Sequence, residues 1–347
     1  MDNIRVGLIG YGYSGATFHA PLIAAAKGLK LSRIASSDPE RVRQIFSDVA
    51  VVTHASDLIR AADVDLVVIA TPNGLHHTLA MTALNADKHV VLEKPFTITS
   101  AEAEELVQLA EKRNLVLSVF HNRRWDSDFL TVRQCIESGV LGEVNTCEIH
   151  FDRYRPEVRN RWREQDLPGS GCLYDLGSHS IDQALQLFGL PVKISADVGV
   201  QRSGASSPDY FHLIMDYGVR KVILHSGAIV RQAGPRFLVH GSKGSFIKYG
   251  MDPQEDALKE GRCPGDAGWG REDERYHGQI VHGENGLHIS GKLESLPGSY
   301  QSYYAGISEA IRGKGPVPVA AADALQVIKV IECAMLSSKE GRVVPFP

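Results

Sequence analysis

The sequence is poor in cysteine and lacks the features that mark secreted, membrane-spanning or strongly charged proteins. Its five cysteines are an odd number, widely scattered and without a CxxC pair, so neither a zinc knuckle nor a disulfide framework is indicated. We therefore expect a reducing, cytoplasmic compartment. No apolar run approaches the roughly 18 residues that span a bilayer, and the first strand begins at Ile4 without a signal-peptide pattern. The net charge of −4 indicates neither a nucleic-acid nor an anionic-membrane partner.

What is present is an ordinary globular composition, 43% hydrophobic and 22% charged, over 347 residues, which is enough for about two domains. Up to residue 119, apolar strands alternate with helical segments, and this predicts six β/α units in a parallel, doubly wound sheet. Beyond Gly142 the strands are longer and alternate more clearly, which is typical of a large, mostly antiparallel open sheet. We assign residues 1–122 to the first α/β domain and residues 123–347 to the second, with residues 251–299 as a long surface excursion.

The N-terminal stretch organises the first domain. The apolar strand Ile4–Ile9 ends in the pattern Gly10-x-Gly12-x-x-Gly15, and a helical segment, Ala16–Ala26, follows; its internal proline should kink or restart the helix. The first glycine permits a tight turn, the second lets a pyrophosphate approach the backbone, and the third lets the helix pack on the strand. The helix N-terminus offers free N–H groups to the phosphates. The alternative is a glycine-rich turn that binds nothing. The candidate dinucleotide-binding residues here are Gly10, Tyr11, Gly12, Tyr13, Ser14 and Gly15.

The end of the second strand bears on coenzyme choice. The fingerprint expects an acidic residue there to hold the adenosine 2′-hydroxyl, but Ser36 and Ser37 occupy the place and Asp38 is the expected cap of the next helix. Two hydroxyls would accept a 2′-phosphate, and Arg41 could neutralise it, so we favour NADP over NAD. The alternative is a plain helix start, with coenzyme choice decided elsewhere.

Two further strand ends lie at the same predicted edge of the sheet. Asn73 and His76 could hydrogen-bond the nicotinamide-side ribose, or they could belong to an ordinary turn. In Glu93-Lys94-Pro95, a lysine ammonium directed into the crevice could stabilise an alkoxide or share a proton with it, whereas the alternative is an exposed structural lysine. The candidate coenzyme contacts at these two ends are Thr71, Pro72, Asn73, His76, Glu93 and Lys94.

A second key stretch lies in the predicted helix Cys172–Phe188. Asp175 and His179 are four residues apart and should share one helix face, and Asp182 could also reach the imidazole. A carboxylate that holds one imidazole nitrogen leaves the other free to accept a hydroxyl proton. The alternative is an ordinary i,i+4 pair. We predict no metal, because no histidine or acidic triplet in the sequence has ligand spacing.

Taken together, Gly10-x-Gly12-x-x-Gly15, Glu93-Lys94-Pro95 and Asp175-x-Gly177-x-His179 resemble the glucose–fructose oxidoreductase/inositol dehydrogenase (Gfo/Idh/MocA) family over the whole chain. The Phe18–Pro21 run and the serine strand end look most like its NADP-preferring scyllo-inositol dehydrogenase-like members. The resemblance implies an N-terminal Rossmann domain and a C-terminal α/β domain whose open sheet forms a homodimer or homotetramer interface. It also implies that Lys94, Asp175 and His179 are the catalytic set, with Asn73 and His76 in the coenzyme-contacting loop.

The expected activity is NADP(H)-dependent hydride transfer to or from a secondary alcohol of a sugar or cyclitol. His179, oriented by Asp175, would remove the hydroxyl proton, and we expect His179, Asn122 and Tyr154 to contact the substrate. Two alternatives share the fold. One is a coenzyme-sensing regulator without turnover, and the other is an enzyme that keeps tightly bound coenzyme as an internal redox group.

Overall fold

The computed structural model describes residues 2–347, which divide into two compact units. The first unit contains residues 2–122, 254–269 and 299–325, and the second contains residues 123–253, 270–298 and 326–347. The sequence placed everything after residue 122 in the second domain, whereas two later segments pack within the first unit. Local sequence patterns could not predict this, because the packing of these two segments in the first unit depends on tertiary contacts.

The first unit is built on six parallel strands, β1 Ile4–Ile9, β2 Leu29–Ala35, β3 Ala50–Val52, β4 Leu66–Ile69, β5 His89–Leu92 and β6 Leu117–Val119. Their order in the sheet is β3-β2-β1-β4-β5-β6. The strands in the middle of the sheet are almost wholly buried, because a parallel sheet is covered on both faces. The strand order reverses between β1 and β4, and a crevice for a ligand is expected beyond the carboxyl ends of those strands.

The α-helices are, in chain order, α1 Ala20–Ala25, α2 Pro39–Arg43, α3 Ala55–Ile59, α4 His76–Asn85, α5 Ser100–Lys112, α6 Ser127–Glu137, α7 Ser178–Phe188, α8 Gln254–Lys259, α9 Gln301–Ile311 and α10 Ala321–Glu340. Helix α5 begins with a capping box, in which Thr99 and Glu102 satisfy each other's backbone N–H groups. Among residues 2–347, no helix is both long enough and apolar enough to cross a membrane.

The second unit is built on nine strands, β7 Val144–His150, β8 Lys193–Gly199, β9 Tyr210–Tyr217, β10 Arg220–Gly227, β11 Phe237–Gly241, β12 Gly244–Lys248, β13 Gly278–Glu284, β14 Leu287–Leu293 and β15 Val344–Pro345. Their order is β14-β13-β12-β11-β7-β10-β9-β8-β15. All neighbours pair antiparallel except β7 and β10, which run parallel. The predicted large, mostly antiparallel sheet is confirmed.

The alternation along the central strands produces one buried face and one half-buried face. In β9, Phe211, Leu213 and Met215 are fully buried, whereas Tyr210 and His212 between them are only half-buried. Because successive strand residues point to opposite sides, the apolar set forms the core of this unit.

Residues 251–299, predicted as a long surface excursion, contain α8, β13 and β14, which the sequence analysis did not identify. In strand β14, Leu287 and Ile289 alternate with polar residues, but every residue before Leu293 is exposed, so the alternation does not mark a buried face. In the segment after the glycine loop, a π-helical turn, Gly15–His19, precedes α1, in agreement with the kink or restart that its proline predicted. The proline of this segment, Pro21, therefore lies in the first turn of α1, where its missing N–H costs nothing.

Candidate functional site

The glycine loop has the geometry that a dinucleotide requires. Gly10 has φ +95°, and a Cβ there would lie 2.5 Å from the carbonyl oxygen of Ala70. A Cβ on Gly15 would lie 2.1 Å from the carbonyl oxygen of Gly10, so only glycine lets the helical turn approach the strand end. A Cβ on Gly12 would meet nothing within 4 Å and would stand in open space. The residues present therefore fit a pyrophosphate, since the backbone at Gly12 is left uncovered for it.

The π-helical turn after this loop places a buried histidine against the end of β5. His19 is fully buried, with Nδ1 2.6 Å from the Tyr304 hydroxyl and Nε2 3.0 Å from Glu93 Oε1. Burial holds the pKa of Tyr304 well above its ordinary value, so the phenol keeps its proton. Nε2–H of His19 donates to the carboxylate of Glu93, because an ionised carboxylate can only accept. A π-turn inserted in a helix is frequent at functional sites.

Glu93 connects this cluster to Lys94. Its Oε1 accepts hydrogen bonds from Ser14 and His19, and its Oε2 accepts the backbone N–H of Lys94 at 2.9 Å. Burial alone would raise the pKa of Glu93, but the hydrogen bond from His19 and the positive charges around the carboxylate lower it to about 2. Glu93 is therefore an anchored anion that fixes the backbone of Lys94, and its two oxygens are occupied by the protein.

His76 joins the loops that follow β4 and β5. It is fully buried, with Nδ1 2.9 Å from the Pro95 carbonyl and Nε2 3.1 Å from the Thr71 carbonyl. Burial lowers the pKa of His76, so the neutral ring donates one hydrogen bond, for which the Pro95 carbonyl is the nearer acceptor. The sequence allowed His76 a contact with the ribose, which stays a prediction, and in the structure both ring nitrogens face backbone carbonyls. Next to it, Asn73 is buried in the 3₁₀ turn that enters α4.

At the end of β2, some residues form the turn that caps α2, and others are exposed where a coenzyme could reach them. Asp38 caps α2, since its Oδ1 accepts the backbone N–H of Arg41 at 3.2 Å, as expected. The hydroxyl of Ser36 is bonded to the backbone of Asp38 and belongs to this turn. Ser37 and Arg41 are exposed, and the Arg41 guanidinium lies 5.7 Å from the centre of the buried Tyr11 ring. A hydroxyl and a cation are thus presented to solvent at this strand end.

Tyr13 of the glycine loop is held by a residue far away in the sequence. Its hydroxyl donates to Glu255 of α8 at 2.6 Å. Burial and this hydrogen bond raise the pKa of Tyr13 to about 12. The loop is therefore tied to a segment that the sequence assigned to the other domain.

In the second unit, Asp175 and His179 lie on a continuous helical stretch. A π-helical turn, Leu173–Gly177, leads directly into α7, so the predicted helix is present with an irregular first turn. A Cβ on Gly177 would lie 2.8 Å from the Leu173 side chain and 3.5 Å from Phe211, which explains the glycine between the two polar residues. Asp175 is half-buried and His179 is 6% exposed.

The surroundings of these two residues differ. Asp175 Oδ1 lies 3.8 Å from Arg163 Nε and borders a cavity. The His179 ring lies 6.2 Å from the ring of Phe151, and the buried Arg236 guanidinium stacks 3.7 Å from the centre of that same ring. Burial lowers the pKa of Arg236 to about 10. The pairing of Asp175 with His179 stays a prediction.

Asp182, which the spacing put within reach of the imidazole, binds Arg124, and its contact with His179 stays a prediction. Both of its oxygens bind Arg124, at 2.9 Å to Nε and 2.6 Å to Nη2, and both side chains are almost fully buried. A bidentate pair of this kind is a structural clamp between the start of this unit and α7.

The two predicted substrate contacts lie in different settings. Asn122 is buried just after β6, in the first unit. Tyr154 is 42% exposed in the second unit, where the Arg231 guanidinium stacks 4.1 Å from its ring centre and donates to its hydroxyl. The structure describes each within its own unit.

A histidine–carboxylate cluster lies on the half-buried face of the second sheet. His150, Asp152 and His225 bring ligand atoms within 4.8 Å of one another, although the sequence predicted no such group. His225 Nδ1 lies 2.8 Å from Asp152 Oδ1. Burial would raise the pKa of Asp152, but hydrogen bonds from the two histidines lower it well below its usual range. His150 and Asp152 lie two residues apart at the end of β7, and His225 comes from the neighbouring strand β10, so local spacing could not show that the third residue joins them.

Sequence reasoning missed several residues that bind and position the predicted site residues through hydrogen bonds. His19, Tyr304, Glu255 and Arg124 were not among the predicted site residues. The signal available for His19 was a histidine one turn after the glycine loop. Tyr304, Glu255 and Arg124 lie in segments that are distant in the sequence from their partners, and no local pattern indicated them.

Comparison with known proteins finds two family models. The NAD-binding Rossmann-fold model of the Gfo/Idh/MocA oxidoreductase family matches residues 4–121, and the C-terminal alpha/beta domain model of that family matches residues 133–346.

Several relatives match the chain over nearly its whole length. The uncharacterized oxidoreductase YdgJ of Escherichia coli is 50% identical over 338 residues, covering 97% of each chain. The scyllo-inositol 2-dehydrogenase (NADP(+)) IolW of Bacillus subtilis is 45% identical over 344 residues, covering 99% of this chain and 96% of its own. The solved structure of yvaA from Bacillus subtilis has a TM-score of 0.97 at 44% identity, covering 100% of this chain and 99% of its own.

Proposed function

The chain belongs to the Gfo/Idh/MocA oxidoreductase family, and from this premise we propose an NADP(H)-dependent enzyme that interconverts a secondary alcohol and a ketone on a sugar or cyclitol. The observation that carries the proposal is the anchoring of Lys94. Its backbone is fixed by the buried carboxylate of Glu93, which is itself held by Ser14 of the glycine loop. The proposal places the Lys94 ammonium beside the uncovered backbone where a dinucleotide fits.

In the proposed reaction, the bound nicotinamide supplies the hydride acceptor or donor. Lys94 stabilises negative charge on the substrate oxygen as it develops, which is the task of a positioned cation. His179 takes the hydroxyl proton in oxidation and returns it in reduction, and Asp175 favours the protonated imidazole. His76 and Glu93 act as positioning residues, because each is bonded to the backbone at the β4 and β5 ends.

The preference for NADP(H) rests on the end of β2. The only carboxylate of the Ser36–Arg41 turn besides Glu40 is that of Asp38, and it is directed to the helix amide of Arg41. Ser37 and Arg41 are exposed there, so a 2′-phosphate would meet a hydroxyl and a guanidinium. The relative IolW, at 45% identity, is named for NADP(+) and scyllo-inositol, which supports both the coenzyme and the cyclitol class.

The test is a coenzyme-reduction assay with NADP⁺ and NAD⁺ in parallel, across inositols, aldoses and sugar acids. We expect reduction of NADP⁺ with one group of polyols, at a higher kcat/KM than with NAD⁺. Faster reduction of NAD⁺ would contradict the assignment of Ser37 and Arg41. No reduction of either coenzyme, in protein shown to bind NADPH, would contradict the dehydrogenase and favour a sensor. Coenzyme that survives gel filtration would favour the internal redox group.

A further inference from the structure

A charged cavity lies wholly within the second unit, beside Asp175. Its volume is about 60 Å³ as measured for a water-sized molecule, and it opens to solvent. Five arginines and three carboxylates line it, which leaves an excess of two positive charges. These charged lining residues are Arg153, Arg155, Arg161, Arg163, Arg202, Glu164, Asp175 and Asp209.

Two of the three carboxylates, those of Glu164 and Asp209, form salt bridges with Arg202 in a buried clamp. Arg202 binds Asp209 through Nε at 2.8 Å and Glu164 through Nη1 at 3.1 Å, and all three side chains are less than 10% exposed. Glu164 also pairs with Arg161 at 2.7 Å. Since these carboxylates already balance two arginines, they leave little negative charge for the rest of the cavity.

The same clamp fixes the segment that carries Arg155. Nη1 of Arg202 donates to the backbone carbonyl of Arg155 at 3.2 Å and to that of Glu157 at 3.1 Å. On the other side, the backbone N–H of Arg155 donates to the Ala228 carbonyl at 2.7 Å. Its backbone is thus held from both sides, so the guanidinium is presented from a rigid base.

Arg155 has no carboxylate to balance it. Among residues 2–347, no acidic side chain forms a salt bridge with its half-buried guanidinium. Burial lowers the pKa of Arg155, and the positive charges of Arg161 and Arg159 lower it further, while the negative charges of Asp175 and Glu164 offset part of this effect. Asp175 forms a 3.8 Å salt bridge with Arg163. A desolvated cation among other cations is unfavourable unless an anion joins it.

We propose that this cavity binds an acid group of the substrate, with Arg155 as its principal contact. The shared ligand chemistry is a sugar- or cyclitol-sized polyol that carries a carboxylate or a phosphate. A guanidinium presents its donors in a planar fork that matches either anion, which favours two parallel charge-assisted hydrogen bonds. Because Asp175 borders the same cavity, the acid group would sit beside one member of the proposed catalytic set. The inference rests on the proposed function and narrows its substrate class.

The test measures binding rather than turnover, so its failure is distinguishable from failure of the dehydrogenase proposal. Full-length protein is titrated by calorimetry with D-glucose, D-glucuronate and D-glucose 6-phosphate, and the coenzyme-reduction assay is run separately. We expect at least one acid to bind about tenfold or more tightly than glucose. The two acid arms distinguish carboxylate from phosphate as the source of the charge.

The substitution Arg155→Gln should abolish this preference while leaving the melting temperature and glucose binding unchanged. Arg159→Gln is the matched control, because Arg159 is an exposed arginine of the same segment that does not line the cavity. Arg155→Lys should restore part of the preference, since it returns the charge without the fork. Equal binding of glucose and both acids, no binding of either acid at millimolar concentration, or an acid preference that survives Arg155→Gln would each overturn the proposal.

Discussion

Replacing the buried carboxylate of Glu93 by an amide, Glu93→Gln, should destabilise the protein in a pH-dependent way. The folded pKa of about 2 lies below the 4.5 of an unperturbed glutamate, which corresponds to roughly 3 kcal/mol of stability at neutral pH. Because the folded pKa is the lower one, this contribution is fully present above about pH 4.5 and is lost as the pH falls towards 2. Glu93→Gln removes the charge and should therefore cost about that amount at pH 7, and less than half of it at pH 3.

The assay is urea unfolding followed by far-UV circular dichroism at pH 7, 5 and 3, for wild type and variant. Glu111→Gln is the control, because Glu111 is an exposed glutamate near the end of α5 whose loss should change the free energy of unfolding by less than about 0.5 kcal/mol. Equal stability of wild type and Glu93→Gln at pH 7 would refute the reasoning. A difference that is as large at pH 3 as at pH 7 would also refute it, since the effect would then not depend on ionisation.

Three further predictions concern the coenzyme and the catalytic set. Gly12→Ala should weaken NADP⁺ binding about tenfold or more at unchanged melting temperature, whereas Gly15→Ala should lower the melting temperature because its Cβ meets the Gly10 carbonyl. Calorimetry measures the first effect and thermal unfolding the second. The reverse pattern would contradict the role of the glycine loop in binding the pyrophosphate. Arg41→Ala should raise the Kd for NADP⁺ about tenfold and leave the Kd for NAD⁺ unchanged. An equal loss of affinity for both coenzymes would show that Arg41 does not contact the 2′-phosphate. Lys94→Ala should lower kcat by orders of magnitude while coenzyme Kd stays near wild type, with the exposed Lys112→Ala as control; near-normal turnover would remove Lys94 from the mechanism.

Most of the fold could be predicted from the sequence because its signals are local. Strand β4, Leu66–Ile69, is a continuous apolar run, and Gly218 at φ +84° makes the hairpin between β9 and β10. Strands β13 and β14 were missed, although β14 alternates apolar and polar residues, because the segment around them is rich in glycine and in charge. The short strand β15 pairs with β8 through a tertiary contact alone.

The candidate site divides in the same way. The sequence by itself determined the glycine loop, the Glu93-Lys94-Pro95 strand end and the Asp175–His179 helix, since each is a short pattern whose chemistry follows from spacing. Only the tertiary structure decided which partners those residues and their neighbours bind through hydrogen bonds. It bonds Glu93 to His19, which lies 74 positions earlier in the chain, and it commits Asp182 to Arg124. Burial and long-range partners set charge and orientation, and neither can be derived from neighbours in the sequence.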